Sequence, residues 1–275
     1  MIQCIWIELR KLLYVPYLVV TIFTSVFLML LSTGATGENN ENFTILSLLI
    51  HQPENLEMSI DQSALVLWSK GLGSWLFVFI PLVLTFAYIF NLSEERRNCQ
   101  ARFQLIRMSN RRYCQSKVIS GILYGGCIFV IAYILFGVLL MCSFPSFFSF
   151  PIEEQQEYIK YIYGGSVTNY IVKRFIGVFL NGVEVSIYGI AVSVFFEDKY
   201  LLICLPFLIS YLRGQMIMKL YMDVVAVQNE KQLAIIEALD SEYLLSINLN
   251  IYWFVHLMVV LLLYGILILA FEQKN

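Results

Sequence analysis

The chain has 275 residues, of which 59% are apolar and only 14% charged, with a formal charge of -2 and a mean hydropathy of +0.72. That composition exceeds what the core of a water-soluble domain needs and requires lipid as solvent. The length accommodates about six spans of roughly 20 residues with their loops and excludes a large soluble domain beside them.

The chain opens with Ile2, Ile5, Trp6, Leu9, Leu12 and Leu13 at helical spacing on one face, and Gln3, Glu8, Arg10 and Lys11 off it. This pattern predicts an amphipathic helix over residues 1–14 lying at the membrane interface, as an elbow before the first span. Apolar residues precede the Arg10–Lys11 pair, which a short signal-peptide n-region would not contain, so no cleaved leader is expected. Pro16 marks the bend, and Tyr17–Ser32 is the first predicted span. The second is Leu72–Leu92, the third Val118–Cys142, the fourth Phe175–Phe196, the fifth Tyr200–Leu220 and the sixth Ile251–Phe271. Only Glu197, Asp198 and Lys199 separate spans four and five, which suits a tight antiparallel turn and equally a single re-entrant hairpin.

Orientation follows from the loops. Arg96, Arg97, Arg102, Arg107, Arg111, Arg112 and Lys117 lie between spans two and three against Glu94 and Glu95, so that loop is expected in the cytoplasm. Alternation then puts the acidic loops outside: Glu38, Glu41, Glu54, Glu57 and Asp61 with Lys70, then Glu153, Glu154, Glu157 and Lys160, then the segment 221–250 before the last span. Both termini fall inside. The expected fold is an all-α integral membrane protein, a single transmembrane domain over 1–275 with six transmembrane helices.

No His-Glu-x-x-His, Gly-x-Ser-x-Gly or phosphate-binding Gly-rich loop occurs, and His51 and His256 are the sole histidines. The six cysteines lack any Cys-x-x-Cys pair, so neither a metal site nor a disulfide is expected. Catalysis is therefore not the first expectation, although an intramembrane enzyme would follow if Glu184 and His256 converged on a polar cavity. Glu184 sits near the middle of the fourth span, where a lone carboxylate is costly unless protonated or paired. It is a candidate for a translocation path, or a packing residue bonded to Asn181, His256 or a hydroxyl. Arg213 and Gln215 lie about 20 Å along the fifth span and are candidates for the same path, or mark snorkelling and the end of the helix after Leu212. Gly121 and Gly125 have the spacing that lets helices approach closely.

The stretch SEERRNCQARFQLIRMSNRRYCQSK, residues 93–117, starts with acids suited to a helix N-terminus, mixes Ala101, Phe103, Leu105, Ile106 and Met108 with basic residues, pauses at Ser109 and Asn110 and re-enters a helix at Arg111. Read alone, it is a short amphipathic cytosolic helix or a solvated basic loop touching anionic lipid. Its place in the order of elements, after an interfacial helix with Glu8, Arg10 and Lys11, a span, an external loop and a second span, resembles the permease subunit of type-2 ABC exporters. In that family this loop carries a Glu-x-x-x-Gly-Thr helix closing on a Pro-x-Ser-Arg turn and docks into the ATPase. Glu95 matches the glutamate and Arg111 or Arg112 the arginine, whereas Gly-Thr falls on Cys99 and Gln100 and the proline on Met108.

The resemblance implies a coupling loop of Glu94, Glu95, Phe103, Ile106, Arg111 and Arg112. It implies as partners a cytoplasmic ABC ATPase dimer, a second permease chain and membrane lipid, with no nucleic acid. ATP and Mg would belong to the ATPase, leaving this chain without a cofactor. The setting would be a bacterial plasma membrane, and the cargo an amphipathic or hydrophobic one such as a peptide, in antimicrobial peptide export or self-immunity, or a lipid. A membrane sensor or assembly subunit that does not transport would share the topology.

Overall fold

The computed structural model describes residues 2–13, 16–36, 42–50, 59–73, 76, 78–85, 95, 106, 109–161, 165–196, 198–227, 233 and 250–274. The chain is all-α apart from one small hairpin. Helix α1 (Ile2–Leu13) is followed at once by α2 (Pro16–Leu30), whose first residue is the proline. Proline is at home there, because its missing N–H would have no intrahelical partner. Trp6 and Ile7 on α1 stand exposed, as do Val19, Val20, Phe23 and Phe27 on α2. The inner face of α2 hides Thr21 and Ser25, whose hydroxyls donate back to the carbonyls of Tyr17 (2.7 Å) and Thr21 (2.8 Å) and so carry no unmet bond into the apolar interior.

Where the sequence predicts an external loop, the chain builds a folded cap. Strands β1 (Thr33–Thr36) and β2 (Asn42–Thr44) pair antiparallel, Thr33 opposite Thr44 and Thr36 opposite Asn42. Helix α3 (Ile45–Ile50), a 3-10 turn (Ile60–Gln62) and α4 (Ala64–Lys70) follow. Alternating acids drew attention to solvent in this stretch, yet Ala64–Trp68 is wholly buried. Ser32 Oγ donates towards the carbonyls of Gly71 and Gly73, both at 3.2 Å, closing the cap against the chain that leads towards the second predicted span. Of that span, residues 76 and 78–85 are helical and 72–73 lie in a turn; its other residues up to Leu92 lie outside the described residues.

Helix α5 (Asn110–Ser143) is the spine, packed by α1, α2, α4, α7 and α9. It starts eight residues before the predicted span, since helix formation does not stop where lipid ends: Arg111 and Arg112 are good helix formers that extend it towards water. The acidic stretch after it forms α6 (Ile152–Tyr161). Helix α7 (Val167–Phe195) is capped by Ser166, whose side chain accepts from Asn169 N. Asp198 Oδ1 accepts from Tyr200 N at 2.8 Å in the short turn into α8 (Lys199–Val227). Each of these two helices runs about 43 Å, longer than the hydrocarbon core of about 30 Å, so neither is half of a re-entrant hairpin by length. Helix α9 is Asn250–Lys274.

Among the described residues, three helical stretches are long and apolar enough to cross a membrane, Asn110–Ser149, Val167–Phe195 and Tyr200–Val225, and shorter apolar helices cover Tyr17–Leu30 and His256–Ala270. Within the apolar windows, 67% of α7 is buried against 11% of α8, which makes α7 the inner helix and α8 an outrigger held mainly by α7. Helices α5 and α7 touch backbone to backbone. A methyl group on Gly182 would lie 2.8 Å from the Gly125 carbonyl, and one on Gly125 would fall 1.7 Å from Ser186 Oγ. The small-residue spacing seen at Gly125 is thus realised across α5 and α7. Further out, the Trp68 indole lies against Gly137 and donates through Nε1 to the Tyr133 carbonyl at 3.0 Å.

Candidate functional site: two buried charge clusters

Two groups of charges interrupt this apolar architecture. The first joins three parts of the chain that are far apart in sequence. Helix α1 presents Glu8 and Lys11 one turn apart, the loop 93–117 contributes Glu95, and α5 contributes Lys117, two turns in from its start. Lys117 is buried, and its Nζ bonds both Glu8 Oε2 and Glu95 Oε2. Lys11 Nζ closes the ring with Glu8 Oε1 at 3.0 Å and Glu95 Oε1 at 3.2 Å. Two ammonium groups and two carboxylates cancel, which is the condition for keeping Lys117 charged away from water. Lys117 also sits 5.7 Å over the Tyr113 ring. Partial burial pulls the Lys11 ammonium down, but Glu95 and Glu8 outweigh it and leave its pKa raised.

The second cluster lies among α7, α8 and α9. Glu184 is almost fully buried, and both of its carboxylate oxygens are engaged. Its Oε1 accepts from the Tyr188 hydroxyl at 2.9 Å and from Arg213 Nη1, and its Oε2 faces His256 Nδ1 at 2.9 Å. Arg213 Nη1 also donates to the Tyr188 oxygen at 2.6 Å, with the guanidinium 6.0 Å above that ring. Tyr188 follows Glu184 by one turn, so the two share a face of α7, and Arg213 reaches across from α8. Carboxylate and guanidinium cancel here as well. His256 Nε2, Asn181 Oδ1 and the Tyr124 hydroxyl are buried with no hydrogen-bond partner among the described residues.

A third, outer set ties the cap together. Lys70 Nζ donates to the Gly34 carbonyl at 3.0 Å and pairs with Asp61 at 3.5 Å, and Asp61 accepts from the Tyr158 hydroxyl on α6. Burial, then the bond to Asp61 and the charges of Asp61, Glu154 and Glu157, push the Tyr158 phenol up.

Of the residues singled out in the coupling loop, Glu95 is engaged inside the chain, Ile106 is 81% exposed, and Arg111 and Arg112 are exposed on the first turn of α5. Glu94 and Phe103 lie outside the described residues, as do residues 228–249 of the segment before the last span except Leu233. Glu184 takes the histidine and a hydroxyl among its expected partners. Arg213 does not end its helix, which runs on to Val227, and it turns inward to Glu184 in place of snorkelling outward; Gln215 is exposed. Sequence reading missed the ring around Lys117, for which Glu8 on the charged side of α1 is the available signal. Among the described residues no three His, Cys, Asp or Glu side chains are grouped as metal ligands would be.

Searches against protein-family models, curated proteins and solved structures find no match to this chain. Fold and site define an all-α chain with, among the described residues, three helices able to span a membrane and two charge clusters buried among its helices.

Proposed function

We propose that this chain is the permease subunit of an ATP-driven exporter of the type-2 ABC kind, with six spans, both termini in the cytoplasm, and residues 93–117 as the loop that meets the ATPase. The observation that carries the reading is the ring of Glu8, Lys11, Glu95 and Lys117. A loop that receives a mechanical push must be tied to what it moves. Glu95 is tied at once to the interfacial helix and to the root of the spine helix, while Ile106, Arg111 and Arg112 stay exposed for a partner. The glutamate that in the family belongs to the coupling helix would here transmit force and not touch the ATPase. ATP and Mg stay on the partner, a cytoplasmic ATPase dimer, and a second permease chain completes the pathway. The cargo is an amphipathic or hydrophobic molecule, a peptide or a lipid, and the setting a bacterial plasma membrane.

The test is co-purification from the native membrane in mild detergent, using exposed positions that leave the ring intact. An ATPase is expected with the wild-type chain and is lost on Arg111→Glu and on Ile106→Asp. Retention by both variants, or purification without any ATPase, overturns the proposal.

A further inference from the structure

The second cluster contains a feature that its charge balance leaves unused. The Glu184 carboxylate only accepts, so the contact from His256 Nδ1 to Oε2 at 2.9 Å places the ring hydrogen of the neutral imidazole on Nδ1. Nε2 is then a bare lone pair. It is buried without a partner among the described residues, in a ring 2% exposed. Asn181 Oδ1, one turn from Glu184 on the same face of α7, is a second buried acceptor without a partner. A buried polar atom left unpaired is costly, so a basic nitrogen of this kind beside a carboxylate is a seat for a ligand that only donates.

We infer that His256 is a binding site for one proton, and that its occupancy releases Arg213 from Glu184 and α8 from α7. As described, Glu184 and Arg213 cancel. A proton on Nε2 makes His256 a second cation on the same carboxylate and leaves the cluster with one positive charge too many. Of the two cations, His256 is enclosed and Arg213 is not: its side chain is 26% exposed. It rides on the outrigger helix, where Leu212 and Met216 on either side of it face outward. A long guanidinium side chain escapes to the headgroup region at little cost. The imidazolium inherits Glu184, and α8 loses its charged tether to α7.

The groups that act on His256 are few. Helix α7 brings Glu184 and Tyr188, and α8 brings Arg213. Helix α5, the other neighbour of α9, has its cations at the far end: Arg111 acts on Tyr264, about 12 Å further along α9, and Lys117 is held by Glu8 and Glu95. The titratable groups that α5 carries nearer its middle are Tyr124, Cys127 and Tyr133. On α7, Arg174 is held by the Tyr170 hydroxyl, about 15 Å from Glu184.

The experiment uses the full chain in lipid nanodiscs, with His51→Gln leaving one imidazole. Ring-nitrogen NMR of labelled histidine is read over about pH 5 to 8, where imidazole ordinarily changes charge. In parallel, spin labels at Cys204 on α8 and at Val172→Cys on α7, the other cysteines being replaced by serine, report the α7–α8 distance. The expected result is that Nε2 gains its proton as the pH is lowered and that the interspin distance changes with the same midpoint. Glu184→Gln and Arg213→Gln each remove that pH dependence, and the wild-type titration stands on its own if either fails to fold. A histidine that stays neutral throughout, its Nε2 bonded to a trapped water, overturns the inference, and so does a titration that leaves the distance unchanged.

Discussion

Substituting Gly125 by alanine tests the close approach of α5 and α7. Inside a helix the change by itself favours alanine by about 1 kcal/mol. Here the new methyl would lie 1.7 Å from Ser186 Oγ, 2.9 Å from Ser186 Cβ and 2.9 Å from the Gly182 carbonyl. Ser186 Oγ donates to that same carbonyl at 2.8 Å. Rotating the hydroxyl away forfeits this bond, worth about 1 kcal/mol, and still leaves two contacts that only separation of the helices relieves. Overpacking of this kind costs about 1–3 kcal/mol. The bond and the packing together exceed the gain in propensity, for a net loss of about 1–3 kcal/mol. The control is Gly214→Ala on α8, where nothing lies within 4 Å of the added methyl, so it is neutral or stabilising by up to about 1 kcal/mol. Both are measured by reversible unfolding in mixed detergent micelles, followed by far-UV circular dichroism. Equal stability of Gly125→Ala and Gly214→Ala would refute the reasoning, because it would mean that the helices are not in backbone contact.

Lys117→Met leaves Glu8 and Glu95 facing Lys11 alone and is expected to cost about 3–5 kcal/mol in the same assay. Adding Glu95→Gln to Lys117→Met restores charge balance and recovers part of that loss. Trp68→Phe removes the bond from Nε1 to the Tyr133 carbonyl and is expected to cost about 0.5–1.5 kcal/mol. The α1 tether also has an alkaline limit. Because the folded-state pKa of Lys11 lies above its ordinary 10.5, its contribution is complete below that value and disappears as the pH rises through the raised one. Protease protection of α1 in liposomes is therefore expected to be flat from pH 7 to 9 and to fall only in stronger alkali.

The helical frame was legible because the apolar runs are long and uninterrupted. The predicted span Val118–Cys142 lies inside α5, Tyr200–Leu220 inside α8 and Ile251–Phe271 inside α9. What hydropathy misses is where helices end, since Arg111 and Arg112 prolong α5 into water as readily as leucines would. The cap was illegible for a different reason. The acids between spans one and two read as solvent-facing, and nothing local says that Ala64–Trp68 will be covered by α5. At the second cluster, Glu184 was conspicuous by its position and His256 was among its expected partners. Distance along the helix places Arg213 but is blind to the several ångströms by which an arginine reaches back to Glu184. Lys117 was read as one more positive charge of a cytoplasmic loop, because Glu8, 109 residues away in sequence, is visible as its partner only once the chain is folded.

The indole bond between α4 and α5 joins residues 65 apart in sequence. At a synthesis rate of about 5–20 residues per second, Trp68 is made roughly 3–13 s before the carbonyl it needs. Throughout that interval Ala64–Trp68, enclosed in the finished protein, has β1 and the 3-10 turn to lie against but lacks the cover that α5 supplies. The cap therefore matures late, only once α5 is in place.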